Sequence, residues 1–125
     1  MLKNARYGTR DLARAREFYD AIAGILGAQR VLDLEMLSGY RGAEGCMFVI
    51  GLPLEGEATV GNGSQIVLFA PNRAAVDAAH ARALELGGVC EGPPGFRGPE
   101  EMDYYAAYFR DLDGNKLMVV KQGPE

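Results

Sequence analysis

Residues Tyr104–Val120, YYAAYFRDLDGNKLMVV, decide the fold. Two runs rich in aromatic and β-branched residues, Tyr104 to Arg110 and Lys116 to Lys121, flank Asp111-Leu112-Asp113-Gly114-Asn115. Side chains of that kind suit a pleated surface covered on one side. The five residues between them are turn chemistry: Asp and Asn bond their own backbone, and Gly114 supplies a positive φ. The segment reads as strand, tight turn, strand. Asp111, Asp113 and Asn115 lack the longer loop and closing Glu of a calcium hand, so they read as turn formers.

Outward from this hairpin, the chain repeats one order of elements. A strand over Leu2 to Thr9 runs into Asp11, a good N-cap because its carboxylate accepts from free amides of the first helical turn. Leu12, Ala15, Phe18, Tyr19 and Ile22 then form one apolar stripe at helical spacing, ending at Gly24 to Gly27. Strands are expected near Gln29 to Leu34, Leu37 to Arg41 and Cys46 to Leu52. The second pass has a strand over Ser64 to Ala70, the N-cap Asn72, and a helix with Ala75, Val76, Ala79, Ala83 and Leu86 inward, stopped at Gly87-Gly88. Strands near Val89 to Glu91, Tyr104 to Arg110 and Lys116 to Lys121 complete it. Asp11 and Asn72 are 61 positions apart, as are Asn4 and Gln65, and Gly27 and Gly88. The expected fold is α+β: two βαβββ units, about 1–55 and about 62–122 of one domain spanning 1–125, pairing into a mixed sheet around a central cavity with the helices outside. Glu91 to Asp103, with Pro93, Pro94, Gly95 and Pro99, reads as a long surface loop.

Composition narrows the function. The 125 residues carry a net charge of −4, and the pI near 5.0 argues against nucleic acid, whose phosphates ask for a basic face. No apolar run reaches the roughly 20 residues of a membrane span, and the N-terminus has no apolar signal core. Cys46 and Cys90 each stand apart from any CxxC or His/Cys motif, which points to reduced thiols and a cytoplasmic protein. The lone histidine, His80, falls mid-helix as a packing or surface residue, and no nucleophile–base pair or phosphate loop is visible.

The stretch DLARAREFY (Asp11–Tyr19), the Gly61-Asn62-Gly63 approach to the middle strand, the helix VDAAHARALELGG and the DLDGN turn occur in an order and spacing that resembles the glyoxalase / bleomycin-resistance / extradiol-dioxygenase superfamily, the vicinal oxygen chelate fold, from Leu2 to Lys121. The resemblance implies metal ligands in the members that bind metal: a His opening the first strand, a His opening the middle strand, a Glu from the last, and sometimes a fourth ligand late in the first unit. Those positions fall here on Asn4, Gln65 and Met118, with Phe48 near the fourth. Neutral carboxamides are weak oxygen donors and a thioether prefers Cu(I), so the set makes no first shell for a divalent ion. No metal and no cofactor is the expectation.

The same resemblance chooses which strand faces look inward. It gives Asn4, Arg6, Gln65, Val67, Phe69, Lys116 and Met118, a mixture of amides, cations and apolar walls suited to a small organic molecule, with Arg6 able to hold an anionic group. Arg6 could equally be a rim residue, and Asn4 and Gln65 could bond each other. In the aromatic strand either the Tyr104/Tyr108 face or the Tyr105/Phe109 face lines the cavity, so Tyr105 and Tyr108 are both candidates. Bleomycin-resistance proteins imply sequestration without catalysis, by homodimers. The alternative is a metal-dependent lyase, isomerase or dioxygenase with unusual ligands such as Glu100, Glu101 or Asp103; a vestigial or partner-binding domain is the third possibility.

Overall fold

The computed structural model describes residues 1–125. Unit one runs β1 (Asn4–Gly8), α1 (Leu12–Ile25), β2 (Gln29–Asp33), β3 (Leu37–Arg41) and β4 (Met47–Gly51); unit two runs β5 (Ile66–Phe69), α2 (Arg73–Glu85), β6 (Val89–Phe96), β7 (Tyr104–Arg110) and β8 (Lys116–Gln122). Each unit builds a four-stranded mixed sheet, in the orders β1-β4-β3-β2 and β5-β8-β7-β6. The first strand of each unit lies parallel to its last, and the remaining pairs are antiparallel. This is the α+β arrangement of paired βαβββ units. No helix is long and apolar enough to cross a membrane.

Both helices start where their caps lie. The Asp11 carboxylate accepts from the Arg14 amide at 3.2 Å and the Asn72 side chain from the Ala75 amide at 2.8 Å. Leu12, Ala15, Phe18, Tyr19 and Ile22 on α1 are buried, as are Ala75, Val76, Ala79 and Ala83 on α2. One core runs from Phe48 and Ile50 on the first sheet through both helices to Ala107, Phe109, Leu117 and Val119 on the second. The Phe18 and Phe109 rings meet across it at 6.1 Å. Burial of that depth means Phe18→Ala would cost about 3–5 kcal/mol.

The DLDGN turn does more than reverse the chain. Gly114 has φ +94° as the turn requires, but Asp111 and Asn115 are buried. Asp111 accepts from the Tyr19 hydroxyl at 2.6 Å, from the Asn115 side chain at 2.9 Å and from the amides of Asp113 and Asn115. Asn115 in turn donates to the Gly8 carbonyl, and Asp113 accepts from Thr9 Oγ1 and the Arg10 amide. The turn therefore clasps unit two to the end of β1 and to α1. Burial raises the Asp111 carboxyl above its usual range, with the donated bonds pulling the other way, and burial with the neighbouring Asp111 charge raises Tyr19 well above an ordinary phenol.

The first part of the expected loop at 91–103, through Phe96, is strand. β6 continues through Pro93-Pro94 to Phe96, with register shifts at Cys90/Gly92 and Gly92/Gly95. An outermost strand tolerates proline because one row of its amides needs no partner, and the bulges absorb the mismatch. A short 3-10 turn at Glu100–Met102 leads into β7.

Candidate functional site

In each sheet the helix covers one face and leaves the other free. Alternation along β7 and β8 puts Ala107, Phe109, Leu117 and Val119 under α2 and groups Ala106, Met118 and Val120, with Tyr104 and Tyr108, on the free face. The aromatic strand is thus resolved. Tyr108 looks away from the helices, whereas Tyr105 lies on the helix side with its hydroxyl donating to Asp77 of α2 at 2.6 Å. Tyr105 is corrected out of the free face for that reason.

Register places the other candidates. Val67 is paired with Met118, and Met118 with Tyr108, so these three share a row of the second sheet. Met118 is only 4% exposed, while Val67 and Phe69 on the edge strand β5 are 43% and 56% exposed. Lys116 Nζ stands 5.5 Å from the centre of the Tyr108 ring and the Arg97 guanidinium 5.7 Å from it. Arg97 bonds only the backbone carbonyls of Phe96 and Pro93. Neither cation is ion-paired, unlike Arg110, which is held by Glu91. Sequence reasoning missed Arg97 because it read the preceding residues as loop; with β6 extended, Arg97 follows the strand's end and folds back over it.

Asn4 and Arg6 lie on the first sheet, paired with Met47 and Val49. The Arg6 guanidinium donates to the Leu52 carbonyl at 2.6 Å. Asn4 and Gln65 are exposed and make no side-chain hydrogen bond to each other. Arg6 stands to Val49 as Val67 stands to Met118, so the first unit's counterpart of Met118 is Val49. Phe48, one residue off, is on the helix side with its ring 4.7 Å from that of Tyr19. The positions that the family resemblance marks as metal ligands, Asn4, Gln65 and Met118 with Val49 as the register counterpart of Met118, offer two amides, a thioether and no carboxylate or imidazole. They do not fit a divalent metal.

A cavity of about 470 Å³ lies elsewhere. It opens between α1, the helix side of the first sheet and β5, with Tyr19, Ile22, Tyr40, Phe48, Ile66 and Leu68 among its walls. Of the expected site residues only Gln65, Val67 and Phe69 line it. The hydroxyls of Tyr19 and Tyr40 are turned to Asp111 and Asp20, leaving those walls apolar.

The sequence profile described as the glyoxalase/bleomycin resistance protein/dioxygenase superfamily matches residues 2–119. The chain belongs to this superfamily. Among solved structures of superfamily proteins, a glyoxalase/bleomycin resistance protein from Albidiferax ferrireducens T118 is similar over 96% of this chain and 97% of its own, at 37% identity and a TM-score of 0.86. A lactoylglutathione lyase from Agrobacterium tumefaciens (23% identity, TM-score 0.68, 96% of this chain and 92% of its own) shares the fold. So does the fosfomycin resistance protein FosX from Mesorhizobium loti (18% identity, TM-score 0.68, 99% and 92%). No curated protein matches.

Proposed function

We propose that the protein binds and sequesters a small anionic organic molecule without a metal, as a homodimer, using the free face of the β5-β8-β7-β6 sheet. The reading is carried by Tyr108, whose ring has the unpaired Lys116 ammonium and Arg97 guanidinium within 6 Å. Met118, Ala106 and Val120 pack beneath it, 4%, 0% and 1% exposed, so the apolar surface open to a ligand is the Tyr108 ring together with Val67 and Phe69 of β5. A flat or apolar body against that ring, with a carboxylate, phosphonate or sulfonate toward the two cations, satisfies both of them. Gln65, just before β5, adds a hydrogen-bonding amide at the edge of that sheet.

A second copy supplies the missing cover. Val67 and Phe69 expose large apolar surface on an edge strand, the kind of edge that pairing hides. The free thiols suit a reducing compartment, and we place the protein in the cytoplasm. The metal-dependent reading has less support. Asp103, one of its proposed ligands, is bound by Arg73 at 2.9 Å, and no group of three or more His, Cys, Asp or Glu side chains comes together.

The test is elemental mass spectrometry of untagged protein grown with added metals, followed by a thermal-shift panel of aromatic carboxylates, phosphonates and sulfonates on chelator-washed protein. Trace metal and a raised Tm with organic anions are expected. Stoichiometric Fe, Mn, Ni or Zn, or stabilisation only after metal is restored, overturns the reading.

A further inference from the structure

One pair of side chains away from the free faces has the parts of a reactive centre. α2 and β6 are joined by the tight turn at Gly87-Gly88, which brings His80 and Cys90 side by side with Nε2 3.2 Å from Sγ. The spacing of ten residues hid this pair from the sequence, where neither residue has a partner nearby. Cys90 is exposed, whereas His80 is only 7% exposed, so the base is sheltered while the nucleophile meets solvent.

Burial keeps the imidazole in the neutral form that can accept a proton, while making it a weaker base than a free imidazole. Burial lowers its pKa from the ordinary value, partly opposed by the charge of Asp77, so it is neutral at pH 7. With its proton on Nδ1, Nε2 presents a lone pair to the thiol. Asp77, one turn earlier on α2, stabilises the imidazolium once it forms and is itself fixed by the Tyr105 hydroxyl at 2.6 Å. Nucleophile, base and supporting carboxylate are the three parts of an activated thiol. Cys46 is equally free and exposed but has no such base, which makes it an internal control.

We propose that Cys90, with His80 as its base, is a thiol–disulfide exchange site that takes small disulfides from solution. The Cys90 thiol gives its proton to His80 Nε2 as its sulfur attacks one sulfur of the disulfide. A new S–S bond forms, the old one breaks, and the electron pair leaves with the second sulfur. That thiolate takes the proton from the imidazolium and departs as a thiol. The disulfide is the only co-reactant, and His80 ends neutral, ready for the reverse exchange with a free thiol.

The experiment follows release of the aryl thiolate from a chromophoric aryl disulfide, using the full chain as Cys46→Ser and Cys90→Ser variants. Cys90 is expected to react at least about tenfold faster than Cys46 at pH 7. His80→Gln, added to Cys46→Ser, should remove most of that advantage. Equal or slower reaction at Cys90, or a rate unchanged by His80→Gln, overturns the assignment. Should His80→Gln lose its circular-dichroism signature of folding, the Cys90:Cys46 ratio in the native chain, read by peptide mass spectrometry, decides alone.

Discussion

The two free sheet faces are built on one plan and finished differently. On the first sheet Arg6 is tied to the Leu52 carbonyl, and Met47 lies over Gly39, where an added Cβ would stand 2.6 Å from its sulfur. That face is filled by its own side chains. On the second sheet the equivalent rows carry Val67, Met118 and Tyr108, and the cations beside the ring find no carboxylate. The same order of elements thus leaves its two free faces differently finished: Arg6 is held by a backbone carbonyl on the first, and on the second Lys116 and Arg97 flank Tyr108 without a carboxylate.

That contrast depends on the two units being held as one body, and the clasp is the first place to break it. Asp111→Ala leaves the buried Tyr19 hydroxyl and Asn115 amide without their acceptor, and about 3 kcal/mol of stability should disappear in a urea titration. The contrast itself is sharpened by paired substitutions. Tyr108→Ala should weaken binding of an aromatic anion by about tenfold or more in calorimetry, while Arg6→Ala leaves it unchanged. A loss at Arg6 of the same size would mean that both faces serve the ligand.

Unit two also carries the chain's sole histidine, which gives the halves different responses to acid. The folded pKa of His80 lies below its ordinary value, so as pH falls the unfolded chain takes the proton first. Stability from this group is intact above about pH 6.5 and is lost as pH falls toward the folded value, with a slope of at most about 1.4 kcal/mol per pH unit. His80→Gln should flatten that part of the denaturation profile. The smallest effect belongs to Tyr105→Phe, which removes one exposed hydrogen bond to Asp77. It should cost about 1 kcal/mol or less and leave anion binding untouched, since Tyr105 is on the helix side.

Local signals carried most of the architecture. Asp11 and Asn72 each cap a helix whose apolar stripe is the buried one, and the hairpin around Gly114 was written in its turn residues. What escaped were features set by contacts distant in the chain. The continuation of β6 past Glu91 was hidden because Pro93 and Pro94 oppose strand formation, and only its place at a sheet edge makes them tolerable. The aromatic strand is apolar on both faces, so alternation could not choose between Tyr105 and Tyr108 until α2 covered one of them. Asp111 has the chemistry of a turn, and its burial against Tyr19 depends on α1, 92 residues away in the chain. The candidate positions Gln65, Val67, Phe69, Lys116 and Met118 came from strand alternation once the family resemblance had chosen a face, whereas Arg97 required the extended β6.

The most direct measurement is a fluorescence titration of chelator-stripped protein with 1-anilinonaphthalene-8-sulfonate, a flat aromatic anion. Saturable binding that needs no metal, weakens with salt and is lost in Tyr108→Ala but retained in Arg6→Ala is the expected result. Binding that survives Tyr108→Ala, or that appears only after a divalent metal is added, would contradict it.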